Sequence, residues 1–336
     1  MLNQDLQLKT NIFDSPESLP TRDGFGKALI ELGENDPRVV VLCADLAEST
    51  RALAFKEKYP DRYIELGVAE QNLATIAAGL ANYGKIPFIA SYAAFSPGRN
   101  NEQIRTTISL NYVPVKVMGM HAGVSVGPDG ATHQALEDMA LMRVQPNMLV
   151  ISPCDAEEAR KAVVAVAAHP NPVYVRFARE KTPMMTTSET PFEIGKLNVV
   201  WRSENPAVVL FATGPLLYQT LVAARELGEQ GINVTVANVH TIKPIDREAI
   251  VSLAREAGAV VTVEEHQIAG GLGSAVSEVL AQEYPVPQEF IGIHDRFGQS
   301  GEPAELLKEY GLDTPAIIAA VKRVVERKGK ISNSQT

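Results

Sequence analysis

The residues able to do chemistry fall just after short apolar runs. Gly67-Val-Ala-Glu70-Gln-Asn opens a stretch in which Ala69, Leu73, Ile76, Ala77 and Leu80 recur at helical spacing. That spacing predicts a buried, Ala-rich helix over 70–83 with the Glu70 carboxylate in its first turn. An acid there complements the helix dipole as a matter of course, so its neighbours must decide whether it does more. His121-Ala-Gly-Val-Ser-Val-Gly-Pro-Asp129-Gly-Ala-Thr-His133-Gln follows an apolar run at 115–120. Its glycines and proline exclude regular structure, so His121, Asp129 and His133 share one loop. The histidines lie 12 residues apart and Asp129 4 before His133, which matches no standard metal-ligand spacing. Proton handling or hydrogen bonding fits an imidazole pair better, because imidazole titrates near neutrality.

Three more groups follow other runs. Ser91-Tyr92-Ala-Ala-Phe95-Ser-Pro-Gly98-Arg99 sets two aromatics three apart, a flat platform or simply core. Asp45 and Ser49 follow the first run, and Arg176 and Arg179 come at the end of the first domain's last strand, where guanidinium groups could grip a phosphate or merely be solvated. In the second half, Glu264-Glu-His266-Gln-Ile-Ala-Gly270-Gly271-Leu-Gly273 has the wrong glycine spacing for a dinucleotide loop. Thr241-Ile-Lys243-Pro-Ile-Asp246 reads as a turn with Asp246 as helix N-cap. Neither carries a chemical role.

The elements that must position these groups alternate. Strands are expected at 39–44, 63–66, 87–91, 115–120, 148–152 and 173–177. Helices are expected at 22–32, 49–58, 70–83, 100–110, 134–142 and 156–168. A second alternation begins near 207 and closes with a helix over 315–328 and a frayed tail. Short apolar strands alternating with longer helices mean an α/β fold, a mostly parallel sheet flanked by helices in each of two domains. In such sheets ligands bind at the C-terminal strand edge, where every group above belongs. Residues 1–19 read as a loose arm, 20–180 as the first domain, the Thr-, Ser- and Pro-rich stretch 181–195 as a linker and 196–330 as the second domain.

The 336 residues are 45% hydrophobic and 21% charged, enough for two cores. A net charge of −9 argues against nucleic acid as the main partner, so any anionic substrate must meet a few local arginines. No window resembles a membrane span, and residues 1–19 do not read as a secretory signal. Cys43 and Cys154 fit small core residues of a reducing compartment. A cytoplasmic protein is expected.

Four motifs together resemble transketolase: Ala44-Asp45-Leu46 with Ser49; Gly67-Val-Ala-Glu70-Gln-Asn; Gly127-Pro-Asp129-Gly-Ala-Thr-His133-Gln; and Val175-Arg-Phe-Ala-Arg179. The third is shared by transketolase and deoxyxylulose-phosphate synthase. The β subunits of 2-oxoacid dehydrogenases have the glutamate helix without it. The resemblance implies a pyrimidine-binding domain followed by a transketolase C-terminal domain, reaching to about residue 328.

It implies that Glu70 hydrogen-bonds the aminopyrimidine N1′ of thiamine diphosphate, that Tyr92 and Phe95 pack around that ring, and that Asp45 lies near the cofactor. His133 and Asp129 then meet substrate hydroxyls, with His121 near the same sugar, and Arg22, Ser49 and Arg179 grip the sugar phosphate. Glu70, His133 and His121 are the implied catalytic residues. The family's usual third aromatic falls on Gly98 here. No Gly-Asp-Gly occurs in the sequence, so Mg²⁺ and the diphosphate are expected on a separate N-terminal (alpha) subunit in an α2β2 assembly, with no metal ligand in this chain. The expected activity is transfer of a two-carbon ketol group from a ketose phosphate to an aldose phosphate. The alternatives are a synthase-like or unusual-sugar transketolase subunit, or a non-catalytic regulatory one.

Overall fold

The computed structural model describes residues 1–334. A seven-stranded sheet runs in the spatial order Thr241–Lys243, Leu149–Ile151, Val173–Arg176, Lys116–Met120, Ile86–Tyr92, Val39–Cys43, Tyr63–Glu65. Its strands are parallel except the first, which pairs antiparallel at the edge. Val39–Cys43 and Lys116–Met120 are buried at every residue, as strands covered on both faces must be. One side packs helices Thr21–Asn35 and Ala156–Ala167 through Phe25, Leu29, Ala159 and Val163. The other packs Glu70–Asn82 through Leu73, Ala74, Ala77 and Ala78. A second sheet has the order Gln288–Ile293, Val260–Gln267, Val208–Ala212, Val234–Asn238, Asn198–Trp201, with only the last strand antiparallel.

Both alternations therefore exist, with five departures of physical interest. The turn expected at 241–246 contains a strand: Thr241 and Lys243 pair with Ile151 and Val150, so the second half of the chain completes the first sheet. Asp246 does cap the next helix, accepting from Ala249 N at 3.3 Å. The arm is not loose. Ile12 is fully buried, Asn3 N bonds Val200 O, and Ser18–Pro20 pairs antiparallel with Lys181–Pro183. The stretch at 181–195 is likewise anchored, since Asp155 accepts from Met185 N, Thr186 N and Thr186 Oγ1. The helix expected at 134–142 spans Asp138–Arg143, because the carbonyls of Ala135 and Leu136 are taken by Gly123 N and Gln267 N. The last helix runs Thr314–Ser334 rather than fraying at 328; residues 335–336 lie outside the described residues.

Candidate active site

Four adjacent strands bring the chemistry together. Val39–Cys43, Tyr63–Glu65, Ile86–Tyr92 and Lys116–Met120 are neighbours in one parallel register, with Cys43 opposite Glu65 and Tyr92 opposite Met120. Asp45, Glu70, Tyr92 and His121 thus emerge along one edge. The strand Tyr63–Glu65 turns into the glutamate helix through Gly67, whose φ of 65° favours glycine. The helix is half exposed rather than buried all round: Gln71, Thr75 and Ile76 face outward, and Leu73, Ala74, Ala77 and Ala78 face the sheet.

Glu70 is 1% exposed and its Oε2 meets Nη1 of Arg99 at 2.7 Å. Asn100, also buried, donates to Glu70 O at 2.9 Å and to Ser96 Oγ at 3.1 Å. Beside this pair Tyr92 and Phe95 lie nearly parallel, centroids 6.0 Å apart and 20° between planes. His133 stands edge-on to Phe95 at 5.2 Å. A Cβ on Gly98 would come within 2.1 Å of Ala94 O, so backbone closes the position where a third aromatic was expected. The Arg99 guanidinium covers the Phe95 ring instead, 4.9 Å from its centroid.

A second group lies around a cleft of about 460 Å³ lined by Arg22, Asp45, Ser49, Arg51, His121 and Arg179, among others. Arg22 Nη1 reaches Ser49 O at 2.9 Å and His121 Nε2 at 2.6 Å. A guanidinium only donates, so His121 Nε2 accepts and the ring proton sits on Nδ1. Burial, then the Arg22 charge, lowers the His121 pKa to about 3. Its ring packs on Tyr92 at 4.2 Å, and the Tyr92 hydroxyl meets Ser49 Oγ at 2.7 Å. Across the cleft Arg179 Nη1 donates to Val126 O at 2.9 Å and Asp129 Oδ2 at 3.2 Å. Nδ1 of His121 and Nε of Arg22 are buried donors without a partner among the described residues. Two such donors beside three guanidinium groups suit an oxygen-rich anion.

The expected site residues thus divide into two touching clusters, Glu70–Tyr92–Phe95–His133 and Arg22–Ser49–His121 with Arg179–Asp129, joined by the Tyr92 ring. Asp45 lines the cleft, with φ at 58°. Arg176 is elsewhere. It is 4% exposed, ion-paired to Asp138 Oδ2 at 2.9 Å and donating to Ala135 O and Glu265 O, so it holds core and not ligand.

Sequence reasoning passed over three residues. Glu65 accepts from Asp45 N, Leu66 N and Gly67 N through Oε1 and from Tyr63 Oη through Oε2, tying the cleft edge to the glutamate turn. Partial burial pushes its pKa up, but the Tyr63 and backbone donors outweigh that and lower it. A single acid ending an apolar strand just before Gly67 was the available signal. Arg51, two residues past Ser49, is braced by Asp23 Oδ1 at 2.7 Å. Arg99 stood in the aromatic motif but carried no role.

The aminopyrimidine ring of thiamine diphosphate fits what is present, a buried carboxylate beside two stacked aromatics. Among the described residues, no three or more His, Cys, Asp or Glu are grouped so as to hold a metal ion. Among the described residues, no helix is long and apolar enough to cross a membrane.

Comparison with known proteins bears on both halves. The transketolase pyrimidine-binding domain family matches residues 17–185 and the transketolase C-terminal domain family matches 195–317. A putative transketolase C-terminal section of Methanocaldococcus jannaschii is 43% identical over 92% of this chain and 96% of its own length. The 6-deoxy-6-sulfo-D-fructose transketolase subunit SqwH of a Clostridium species is 38% identical over 91% and 95%. A solved structure described as a split gene transketolase, inactive beta4 tetramer, superposes with a TM-score of 0.86 at 44% identity, covering 92% of this chain and 99% of its own. The chain belongs to the transketolase family and carries that family's pyrimidine-binding and C-terminal domains.

Proposed function

We propose that this chain is the C-terminal subunit of a two-chain, thiamine-diphosphate-dependent transketolase. It moves a two-carbon ketol group from a ketose phosphate to an aldose phosphate. The observation that carries this reading is the single strand edge on which buried Glu70 and the Tyr92–Phe95 stack adjoin the arginine-rich cleft. The names of the relatives, a C-terminal section and a split-gene product, support a separate N-terminal partner. Mg²⁺ and the diphosphate are assigned to that partner, in a cytoplasmic α2β2 assembly.

Bound thiamine diphosphate would supply the nucleophilic carbon and the electron sink for C–C cleavage. Glu70 would bond the pyrimidine ring nitrogen, and Tyr92 and Phe95 would fix the ring plane. His121, its tautomer set by Arg22, presents an Nδ1–H donor to a sugar oxygen and stays neutral at physiological pH. His133 and Asp129 take substrate hydroxyls. Arg22, Ser49 and Arg179 hold the anionic end. The closed backbone at Gly98 favours a second reading, an unusual anionic sugar in place of a common pentose phosphate, since one wall of the usual aromatic pocket is a guanidinium.

The test is calorimetry with thiamine diphosphate and Mg²⁺, on this chain alone and mixed with a candidate N-terminal subunit. Tight binding and ketol transfer only in the mixture are expected, with Glu70→Ala abolishing transfer. Tight Mg²⁺-dependent binding by the isolated chain, or full turnover by Glu70→Ala, would overturn the reading. A donor panel of pyruvate, phosphorylated ketoses and sulfonated ketoses separates the substrate classes.

A further inference from the structure

The loop bearing Asp129 and His133 is shaped from outside its own domain. Glu265, on the second-sheet strand Val260–Gln267, is 2% exposed, and its Oε1 accepts the backbone N–H of Ser125 at 2.6 Å. The loop approaches so closely that a Cβ on Gly123, at φ 94°, would lie 2.2 Å from that oxygen. The next residue along, Val126, supplies the carbonyl that aims Arg179, and Arg179 in turn holds Asp129.

The far side is gripped as well. Gln134 Nε2 donates to Val124 O and Gly127 O within the loop and to Gln299 O of the second domain, at 3.1, 3.2 and 2.9 Å. A Cβ on Gly130 would meet Ser300 Oγ at 2.6 Å. The Glu265 backbone is itself fixed, since Arg176 Nη2 donates to its carbonyl at 2.7 Å. Carboxylate, backbone and loop thus form one chain of contacts from the second sheet to the cleft.

We propose that Glu265 is a positioning residue for the sugar end of the site, through which the C-terminal domain sets the loop that presents Asp129 and His133 and aims Arg179. That these residues meet a sugar rests on the reading above; that Glu265 sets the loop does not.

The test is hydrogen exchange by mass spectrometry on the full chain as wild type, Glu265→Gln and Glu265→Ala, with thermal unfolding alongside. Loss of a charge-assisted hydrogen bond should raise exchange in peptides covering 121–136 by about tenfold in the alanine variant. Glutamine keeps an acceptor oxygen and should restore protection to within roughly twofold of wild type. Unchanged exchange at 121–136 in Glu265→Ala, or an equal rise across the whole chain, would overturn the proposal, the second because it marks global destabilisation. In the assembled two-subunit enzyme, Glu265→Ala should raise the sugar KM about tenfold with kcat within roughly threefold, and glutamine should rescue it. A fall in kcat at constant KM would also overturn it. Absence of ketol transfer in the wild-type assembly would defeat the transketolase reading, and the exchange experiment would still decide the role of Glu265.

Discussion

Arg99 closes on Glu70: a guanidinium half exposed to water caps, at 2.7 Å, a carboxylate that is itself 1% exposed. The pair joins the first turn of one helix to the last residue of the aromatic motif, so two strand ends are held in fixed relation. A buried carboxylate stripped of its partner is costly, although the exposed side of this pair lets water compensate in part.

Arg99→Ala is therefore expected to destabilise the chain by about 1–2 kcal/mol, less than for a fully buried pair. The Arg99→Ala and Glu70→Gln double-mutant cycle, followed by urea unfolding, should show a coupling of about 1 kcal/mol. Additive single effects would show that the contact contributes nothing.

His121 gives a pH prediction. Its folded pKa of about 3 lies below the ordinary value of about 6.5, so the unfolded chain binds the extra proton between them. The stability contribution is fully present above about pH 6.5 and is lost as pH falls toward 3. Between these limits it changes by about 1.4 kcal/mol per pH unit. His121→Gln should flatten the acid limb of the stability curve by up to one proton, and the His121 ring resonances should not titrate between pH 5 and 8.

Lys116 behaves similarly at higher pH. It is fully buried, donates to His169 O and Asn171 O, and burial lowers its pKa to about 7. Its contribution is complete above the unfolded-state value of about 10.4 and is lost as pH falls toward 7. The wild type should therefore gain stability from pH 7 to 10 relative to Lys116→Met, in which two partly buried carbonyls lose their donor. Parallel curves for the two proteins would refute this.

Glu65→Gln should cost about 2 kcal/mol, since one carboxylate oxygen accepts three backbone N–H groups and the other a tyrosine hydroxyl. Hydrogen exchange should quicken at Asp45, Leu66 and Gly67, ahead of the strands they follow.

Much of this was legible in the sequence because local rules and tertiary demands agree. Val39–Cys43 and Lys116–Met120 read as strands from their apolar runs, and the parallel alternation placed Asp45, Tyr92 and His121 at one edge. Arg176 and Arg179 show where local reading stops. They lie three residues apart, one ending a strand and one just beyond it, yet Arg179 enters the cleft and Arg176 an ion pair with Asp138. That partner sits 38 positions away, and no spacing rule connects them. The outward Ile76 is a similar case, since periodicity finds a face but not which edge of it meets the sheet. Arg99 carried no role in the sequence for another reason: side chains reach across turns, and only geometry shows which carboxylate they find.

The strand Thr241–Lys243 sews the two halves of the molecule together. Severing the chain near residue 195 would leave Leu149–Ile151 as a bare hydrophobic selvedge, open to pairing with any passing strand. Neither half is then a module to be lent to another protein. Heat or denaturant should melt the pair in one transition, and fragments made at the apparent seam should aggregate where the whole chain stays dispersed.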